Sequence, residues 1–206
     1  FQVRQVRKLP VEIRLGARVD AGMVEAMGAE EVVLAAGAVF RTPSEISGSD
    51  GPKVMTAGRA LLESDRAGKR VVVVGGGVTG CETAWALARM GRRVTLLEMR
   101  DDLAPDMEGM HRPVLMKGFE ETGVTWRTRA RVTAVAEDGT GAYRVHGVST
   151  EEPADTVILA VGVEAERGLV DALAGLDIPV HEIGDCARPG RVLGAIHDGA
   201  RVGRSI

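Results

Sequence analysis

The sequence has no apolar run of the roughly 20 residues that a membrane-spanning helix requires, and no run of Lys or Arg that could neutralise a phosphate backbone. We therefore expect neither a membrane nor a nucleic acid as a partner, and a cytoplasmic location. The two cysteines, Cys81 and Cys186, form no CxxC pair, and the four histidines show no metal-ligand spacing. These patterns favour buried structural thiols, and we expect no metal site.

The composition is that of a globular protein. The 206 residues are 45% hydrophobic, and 26 basic and 29 acidic residues give a net charge of -3. This length and this apolar content fit one or two compact domains. The chain opens with Phe1 and no initiator Met, so we expect a piece of a longer protein, and the sequence leaves the oligomeric state open.

A β-α-β unit is predicted over residues 71–98. Residues 71–74 form a continuous apolar run, residues 78–90 are good helix formers closed by a glycine, and residues 94–97 form a second apolar run. Two short apolar runs on either side of a helical segment are typical of buried parallel strands joined by a crossover helix. The sequence therefore predicts a parallel sheet.

The turn of this unit is glycine-rich. Gly75, Gly77 and Gly80 spell GxGxxG, in which the first glycine permits a sharp turn, the second lets a pyrophosphate approach and the third allows close helix packing. The free N–H groups that begin the helix favour an anion. We predict a dinucleotide site that includes Gly75, Gly76, Gly77, Val78, Thr79 and Gly80. Glu82, on the first helical turn, either complements the helix dipole or orders the nicotinamide side of the site.

An acidic residue ends the second strand of the unit. Glu98 is placed to accept hydrogen bonds from a ribose hydroxyl and to repel a 2′-phosphate, which favours NAD(H) over NADP(H). The other interpretation is a solvated charge at the end of a strand. Arg100 and the pair at residues 92–93 lie close enough in sequence to soften the repulsion. Met99 and Arg100 are included in the predicted site.

The segments that follow the β-α-β unit are also predicted to be regular secondary structure. We predict a helix at residues 111–122 and three short strands at 124–127, 131–136 and 142–148, which together resemble a three-stranded meander. Residues 156–159 form another buried strand.

Two strand ends repeat one pattern. The predicted strand at 156–159 ends in Ala160, Val161 and Gly162, where a glycine permits close approach of a ligand. Residues 31–37, which end in Ala36 and Gly37, have the same form and suggest two domains built on one plan. Near the end of the chain Gly184 and Asp185 follow a short apolar run, and residues 195–206 are predicted to be helical.

These residues carry a family resemblance over the whole chain. The GxGxxG run with Glu98, the two Ala-x-Gly strand ends and the Gly184-Asp185 pair resemble the pyridine-nucleotide-disulfide-reductase-type flavoproteins. The resemblance implies a three-layer, Rossmann-like α/β fold with an NAD-binding domain at 61–163 inserted into an FAD-binding domain made of 1–60 and 164–206. It also implies that Ala36, Gly37, Gly184 and Asp185 contact FAD, where the alternative for Asp185 is a local turn or helix cap.

Within that superfamily the chain is most similar to the C-terminal reductase part of NADH:flavin oxidoreductases related to 2,4-dienoyl-CoA reductase and trimethylamine dehydrogenase. The segments that carry this likeness are residues 98–100, 106–108 and 183–203. The resemblance implies an N-terminal flavin barrel in the same parent chain, with FMN and an iron–sulfur cluster. The first GxGxxG of the family is absent, so we expect an incomplete FAD domain that by itself binds FAD weakly and is inactive.

The implied reaction is hydride transfer from NADH to FAD and on to a further acceptor, and it requires no catalytic acid or base in this chain. The competing hypothesis is a non-catalytic module that holds ADP or NAD as a structural or regulatory ligand. A third, a scaffold for protein interaction, is poorly supported because the phosphate-binding glycines are intact. The sequence does not identify the substrate.

Overall fold

The structure is a computed structural model that describes residues 2–107, 109–145 and 148–206. Its helices are α1 (Gln2–Val6), α2 (Ala21–Met27), α3 (Ala57–Leu62), α4 (Val78–Arg89), α5 (His111–Thr122), α6 (Gly168–Leu173) and α7 (Val192–Val202). Its strands are β1 (Val32–Leu34), β2 (Ala38–Phe40), β3 (Val54–Thr56), β4 (Arg70–Val74), β5 (Arg93–Leu97), β6 (Thr125–Arg127), β7 (Ala130–Val135), β8 (Gly141–Val145), β9 (Val148–Glu152), β10 (Thr156–Leu159), β11 (Val163–Ala165) and β12 (Val180–Glu182).

The chain divides into two compact units. The central unit is residues 39–164, and the flanking unit combines residues 1–38 with 165–206. The first boundary differs from the predicted one, because residues 39–60 belong to the central unit. The reason is that β3 pairs with β10, while Ala57 and Ala60 of α3 are buried in the core of the central unit.

A five-stranded parallel sheet organises the central unit in the order β3-β10-β4-β5-β6. Successive side chains of a strand point to opposite faces, so Val71 and Val73 of β4 join the core on the helical side with α4 and α5. Val72 and Val74 join a second core, which β7 completes on the other face. Burial on both faces explains the unbroken apolar run of β4. The predicted three-layer α/β fold is confirmed.

The third layer is an antiparallel meander of β7, β8 and β9, and its membership differs from the prediction. The predicted strand at 124–127 is β6, which pairs in parallel with β5 at the edge of the large sheet. Val124 is buried in the helical-side core, and a left-handed turn at Arg129 (φ 54°) separates β6 from β7. Two residues of the predicted strand at 142–148 lie outside the described residues.

The flanking unit contains a parallel pair, β1 and β12, with α2 and α6. Its core consists of Val24, Leu34, Val170, Leu173 and Cys186. The pairing of β1 with β12 in this unit resembles the parallel pairing of β10 with β3 in the central unit. Each of β1 and β10 is followed by a glycine of positive φ, Gly37 after β1 and Gly162 after β10. The helix predicted at 195–206 is α7, which begins and ends earlier than expected. Among the described residues no helix has the length and apolar content to cross a membrane.

Candidate dinucleotide site

The glycine-rich turn between β4 and α4 has the tight geometry that its sequence predicts. Gly75 adopts a φ of 102°, a conformation that L side chains rarely adopt, and a Cβ on it would overlap the carbonyl oxygen of Ala160. A Cβ on Gly80 would overlap the carbonyl oxygen of Gly75 and lie 3.1 Å from the Cβ of Ala160. These two glycines therefore bring α4 against β4 and β10, which is the packing role predicted for the third glycine.

Gly77, in contrast to Gly75 and Gly80, has open space around the position of a Cβ. The heavy atom nearest to an ideal Cβ on Gly77 is Nη2 of Arg100, at 4.0 Å, so the backbone is open on that side. Gly77 is also the N-cap of α4, it has no side-chain capping bond, and the first helical hydrogen bond runs from the N–H of Cys81 to its carbonyl. Helix N–H groups that precede the first such bond have no partner within the helix and attract anions. This opening can therefore receive a phosphate.

Glu98 lies at the carboxyl end of β5 and is 3% exposed. Its Oε2 accepts a hydrogen bond from the N–H of Gly76 at 2.5 Å, and its Oε1 accepts one from the N–H of Arg100 at 2.6 Å. Nε of Arg100 lies 3.5 Å from the same Oε1. The carboxylate therefore binds the glycine-rich turn directly, an arrangement that excludes the solvated strand-end interpretation.

Two residues that sequence reasoning missed support the turn. The N–H of Ala104 donates to the carbonyl oxygen of Gly76 at 2.7 Å, and Leu103, 2% exposed, packs under Gly76 where a Cβ would lie 2.6 Å from its Cδ2. Ala104 adopts a φ of 43°. An alanine in the left-handed region is uncommon, and nothing in the sequence around it signals this conformation.

A cavity of about 550 Å³ opens beside the turn within the central unit. Its volume is in the range of small-molecule and cofactor sites. The predicted site residues that line it are Gly75, Gly77, Thr79, Glu98, Met99, Arg100, Ala160, Val161 and Gly162. The other lining residues are Phe40, Arg41, Pro43, Glu45, Ile46, Val74, Leu97, Ala130, Arg131, Val132 and Val163.

Four predicted residues of the central unit do not line this cavity. Gly76 and Gly80 are buried, and Val78 begins α4. Glu82 is exposed and, as the fifth residue of α4, lies beyond the first turn that the sequence predicted for it. The segment at residues 40–46 also lines the cavity, and no motif in the sequence pointed to it. It follows β2 as irregular chain, and the N–H of Arg41 donates to the carbonyl oxygen of Gly162 at 3.1 Å.

A second cavity, of about 390 Å³, lies within the flanking unit and contains three of the four residues predicted to contact FAD. Gly37, Gly184 and Asp185 line it, whereas Ala36 does not. Gly37 has a φ of 82° and no atom within 4 Å of an ideal Cβ, so the backbone there is accessible. Oδ1 of Asp185 accepts a hydrogen bond from the N–H of Gly190 at 3.0 Å, so this carboxylate also closes a local turn.

The two thiols are buried. Burial, with a smaller contribution from the charge of Glu98, raises the pKa of Cys81 to about 12, and its Sγ lies 3.3 Å from the carbonyl oxygen of Gly76. Cys186 contacts the carbonyl oxygen of Leu34 at 3.1 Å. A thiol with a raised pKa is a poor nucleophile at neutral pH. In the part of the chain that the structure describes, no group of three or more His, Cys, Asp or Glu side chains is placed to hold a metal ion.

The geometry of this turn and its cavity defines a nucleotide-binding α/β protein, and comparison with known proteins identifies its class. The sequence pattern of the family described as pyridine nucleotide-disulphide oxidoreductase matches residues 11–199, so the chain belongs to this family. The chain is 37% identical over 186 residues to a bilirubin reductase of Mediterraneibacter gnavus, a match that covers 90% of this chain and 29% of that protein. It is 33% identical over 214 residues to an NADH oxidase of Thermoanaerobacter brockii, covering 98% and 32% of the two chains.

Solved structures give the same class. A 2-naphthoyl-CoA reductase in complex with 2-naphthoyl-CoA superposes with a TM-score of 0.91 at 27% identity, covering 99% of this chain and 31% of the other. A 6-hydroxypseudooxynicotine amine oxidase of Pseudomonas geniculata superposes with a TM-score of 0.87 at 26% identity, covering 98% and 33%. The chain thus spans about a third of the length of the proteins it matches. Its relatives are oxidoreductases, and the family binds FAD and a pyridine nucleotide.

Proposed function

We propose that this chain is the NADH-binding portion of a flavin-dependent oxidoreductase, which passes a hydride from NADH to FAD and on to a further acceptor. The observation that carries the proposal is the open backbone at Gly77, set at the N-terminus of α4 and facing a cavity with Glu98 at its rim. A pyrophosphate fits this opening because unpartnered N–H groups and the helix dipole favour an anion there.

Two groups of residues that line the cavity suggest how the nucleotide lies. Glu98, Met99 and Arg100 form one side, where the carboxylate can accept hydrogen bonds from the adenosine ribose. Val161 and Gly162 form another, where the exposed glycine leaves room for the nicotinamide. When bound, nicotinamide and flavin would supply the hydride chemistry. The residues of this chain would bind the nucleotide and orient its reactive ring.

The preference for NADH over NADPH rests on Glu98. A 2′-phosphate would bring two negative charges towards a buried carboxylate, whereas a 2′-hydroxyl would donate a hydrogen bond to it. Each oxygen of Glu98 already accepts one N–H and retains one lone pair for this purpose.

FAD would contact the flanking unit at Gly37, Gly184 and Asp185, whose carboxylate would accept hydrogen bonds from ribitol or ribose hydroxyls. The accessible backbone at Gly37 and the shared cavity support this assignment. We further propose that the parent protein is related to 2,4-dienoyl-CoA reductase and carries a flavin barrel with FMN and an iron–sulfur cluster. The support is that the chain covers about a third of an NADH oxidase and of a 2-naphthoyl-CoA reductase.

Calorimetric titration of the 206-residue chain with NADH, NADPH and ADP tests the proposal. We expect NADH to bind more tightly than both other ligands. Equal affinity for ADP and NADH would mean that the nicotinamide contributes nothing, and would favour a non-catalytic module that holds ADP or NAD. Absence of binding of all three ligands would refute a nucleotide site.

A further inference from the structure

The charged side chains that line the cavity of the central unit form two groups. The first lies after β5 and on β7, and consists of Glu98, Arg100 and Arg131. The second lies after β2, and consists of Arg41 and Glu45. The nucleotide contacts proposed above involve neither residue of the second group, although both side chains face the same cavity.

The second group lies beside the strand end proposed for the nicotinamide. The N–H of Arg41 donates to the carbonyl oxygen of Gly162 at 3.1 Å, so the segment that carries the group begins against the end of β10. Four apolar residues line the cavity from this segment and from β11, namely Phe40, Pro43, Ile46 and Val163. Ligand pockets commonly combine an apolar lining with a few polar groups that fix orientation. A flat ring with one polar substituent fits such a lining.

The backbone of the segment is held by hydrogen bonds although its conformation is irregular. The N–H of Ile46 donates to the carbonyl oxygen of Pro43 at 3.2 Å and closes a turn. The carbonyl oxygen of the next residue, Ser47, accepts a hydrogen bond from the N–H of Val135 in β7 at 2.7 Å. Because the backbone is already ordered, a ligand that binds to its side chains has a smaller entropic cost to overcome.

Arg41 and Glu45 form a loose ion pair. Nη2 of Arg41 lies 3.5 Å from Oε1 of Glu45, and the two side chains are 42% and 56% exposed. An exposed pair at this distance contributes little to stability, so a ligand can separate it easily. The guanidinium only donates hydrogen bonds and the carboxylate only accepts them, whereas a primary carboxamide has one acceptor oxygen and one NH₂ donor. The pair is therefore complementary to a carboxamide.

We propose that Arg41 and Glu45 bind the carboxamide of the nicotinamide ring. Arg41 donates a hydrogen bond to the carboxamide oxygen, and Glu45 accepts one from its NH₂ group. This inference rests on the nucleotide site proposed above and adds the residues that orient the ring. They favour a nicotinamide nucleotide over ADP, which has no ring, and over a nucleotide whose ring carries a carboxylate, which Glu45 would repel.

The test is calorimetry of the 206-residue chain and its variants with three ligands. The ligands are NADH, ADP and the reduced 3-acetylpyridine analogue of NADH, in which a methyl ketone keeps the carbonyl oxygen and lacks the NH₂ group. We expect Arg41→Met to weaken NADH binding on the order of tenfold, the effect of one charge-assisted hydrogen bond, and to leave ADP binding unchanged. Arg41→Lys, which keeps a donor, should weaken it less. Glu45→Met should weaken NADH binding and leave binding of the acetylpyridine analogue unchanged.

A second arginine–glutamate pair of the same spacing provides matched controls. Nε of Arg59 lies 3.2 Å from Oε2 of Glu63 at the end of α3, the side chains are 46% and 39% exposed, and neither residue lines the cavity. Arg59→Met and Glu63→Met remove the same charges at a comparable depth. We expect both controls to bind all three ligands as the original chain does.

Four outcomes would overturn the proposal. Unchanged NADH affinity in Arg41→Met and Glu45→Met would refute the role of the pair and leave the nucleotide site intact. Equal weakening of ADP and NADH in Arg41→Met would assign Arg41 to the diphosphate instead. Equal weakening of NADH and its acetylpyridine analogue in Glu45→Met would show that Glu45 does not bind the NH₂ group. Absence of binding of NADH and ADP to the original chain would refute the nucleotide site itself, and this inference with it.

Discussion

The N–H of Gly76 donates a 2.5 Å hydrogen bond to Oε2 of Glu98, so the carboxylate that ends the second strand of the β-α-β unit also fixes the turn that follows the first. A second bond, from the N–H of Arg100 to Oε1, holds the start of the next loop. One buried side chain therefore connects the glycine-rich turn to the loop that follows β5. Its removal has consequences for both stability and binding.

We expect Glu98→Gln to lower the free energy of unfolding by about 1 to 3 kcal/mol, because a buried charged acceptor with two N–H partners becomes an amide with a single acceptor oxygen. ADP binding should weaken together with NADH binding, since the turn loses its support. Chemical denaturation and calorimetry measure the two effects. Glu82→Gln, at an exposed site of α4 that does not line the cavity, is the matched control. A variant that loses only the preference for NADH would show that Glu98 does not hold the turn.

Alanine substitutions at two glycines of the motif should have different effects, one on nucleotide affinity and the other on stability. Gly77→Ala introduces a methyl group where the nearest atom is 4.0 Å away, so we expect a Tm within about 2 °C of the original and a roughly tenfold loss of NADH affinity from the blocked phosphate approach. Gly80→Ala should instead lower stability by about 1 to 3 kcal/mol, because the methyl group overlaps the carbonyl oxygen of Gly75. Gly175→Ala, with no neighbour within 4 Å, is the control. Full NADH affinity in Gly77→Ala would contradict the proposed phosphate position.

Acid should weaken the ion pair between Asp155 and Arg70. Hydrogen bonds from the side chain and the N–H of Arg70 lower the pKa of Asp155 to about 2, from an ordinary value of about 3.9. A carboxyl whose pKa is depressed by folding contributes its stability above the unfolded pKa and loses it as the pH falls towards the folded one.

The Tm of the original chain should therefore fall more steeply between about pH 4 and pH 2 than that of Asp155→Asn, which should be less stable at pH 7. Asp65→Asn, at an exposed carboxylate of the same unit, should keep the original slope. Thermal melts over this range measure both slopes. Parallel profiles of Tm against pH for Asp155→Asn and the original chain would refute a contribution of this ion pair to stability.

Neither thiol should react in the folded chain at pH 8. Both side chains are inaccessible, and burial raises the pKa of Cys81 to about 12, so its thiolate is scarce. A colorimetric thiol reagent should label neither cysteine until guanidinium chloride unfolds the protein, when both should react. The Cys186→Ala variant reports on Cys81 alone. Rapid labelling of this variant in buffer would contradict a structural role for Cys81.

Some features of the site follow from local sequence. The apolar runs of β4 and β5, the glycines at 75, 77 and 80 and the helix formers of α4 each require only their immediate neighbours to fix a conformation. The structure accordingly places these elements within a residue or two of their predicted bounds. Gly75 adopts the positive φ expected of the sharp turn, and the open side of Gly77 is where the motif predicts it.

Other features depend on contacts between distant parts of the chain. The short strand β6 lies two residues before β7, and the sequence suggested one meander for both, yet β6 extends the parallel sheet and β7 begins another layer. Pairing of this kind is decided by which partner edge is available, and the composition of a three-residue strand carries little information about it. The same applies to residues 39–60, which join the central unit because β3 finds its partner in β10.

The sequence by itself determined the α/β class, the position of the glycine-rich turn and the acidic residue that ends the second strand, because the periodicity of apolar residues and the conformational freedom of glycine act over a few residues. Only the tertiary structure decided that Glu98 binds Gly76, that Leu103 and Ala104 support the turn, and that Arg100 rather than Arg92 or Arg93 reaches the carboxylate. Those relationships arise where separate segments are brought together by the burial of the sheet on both faces, and no local pattern encodes the distances between them.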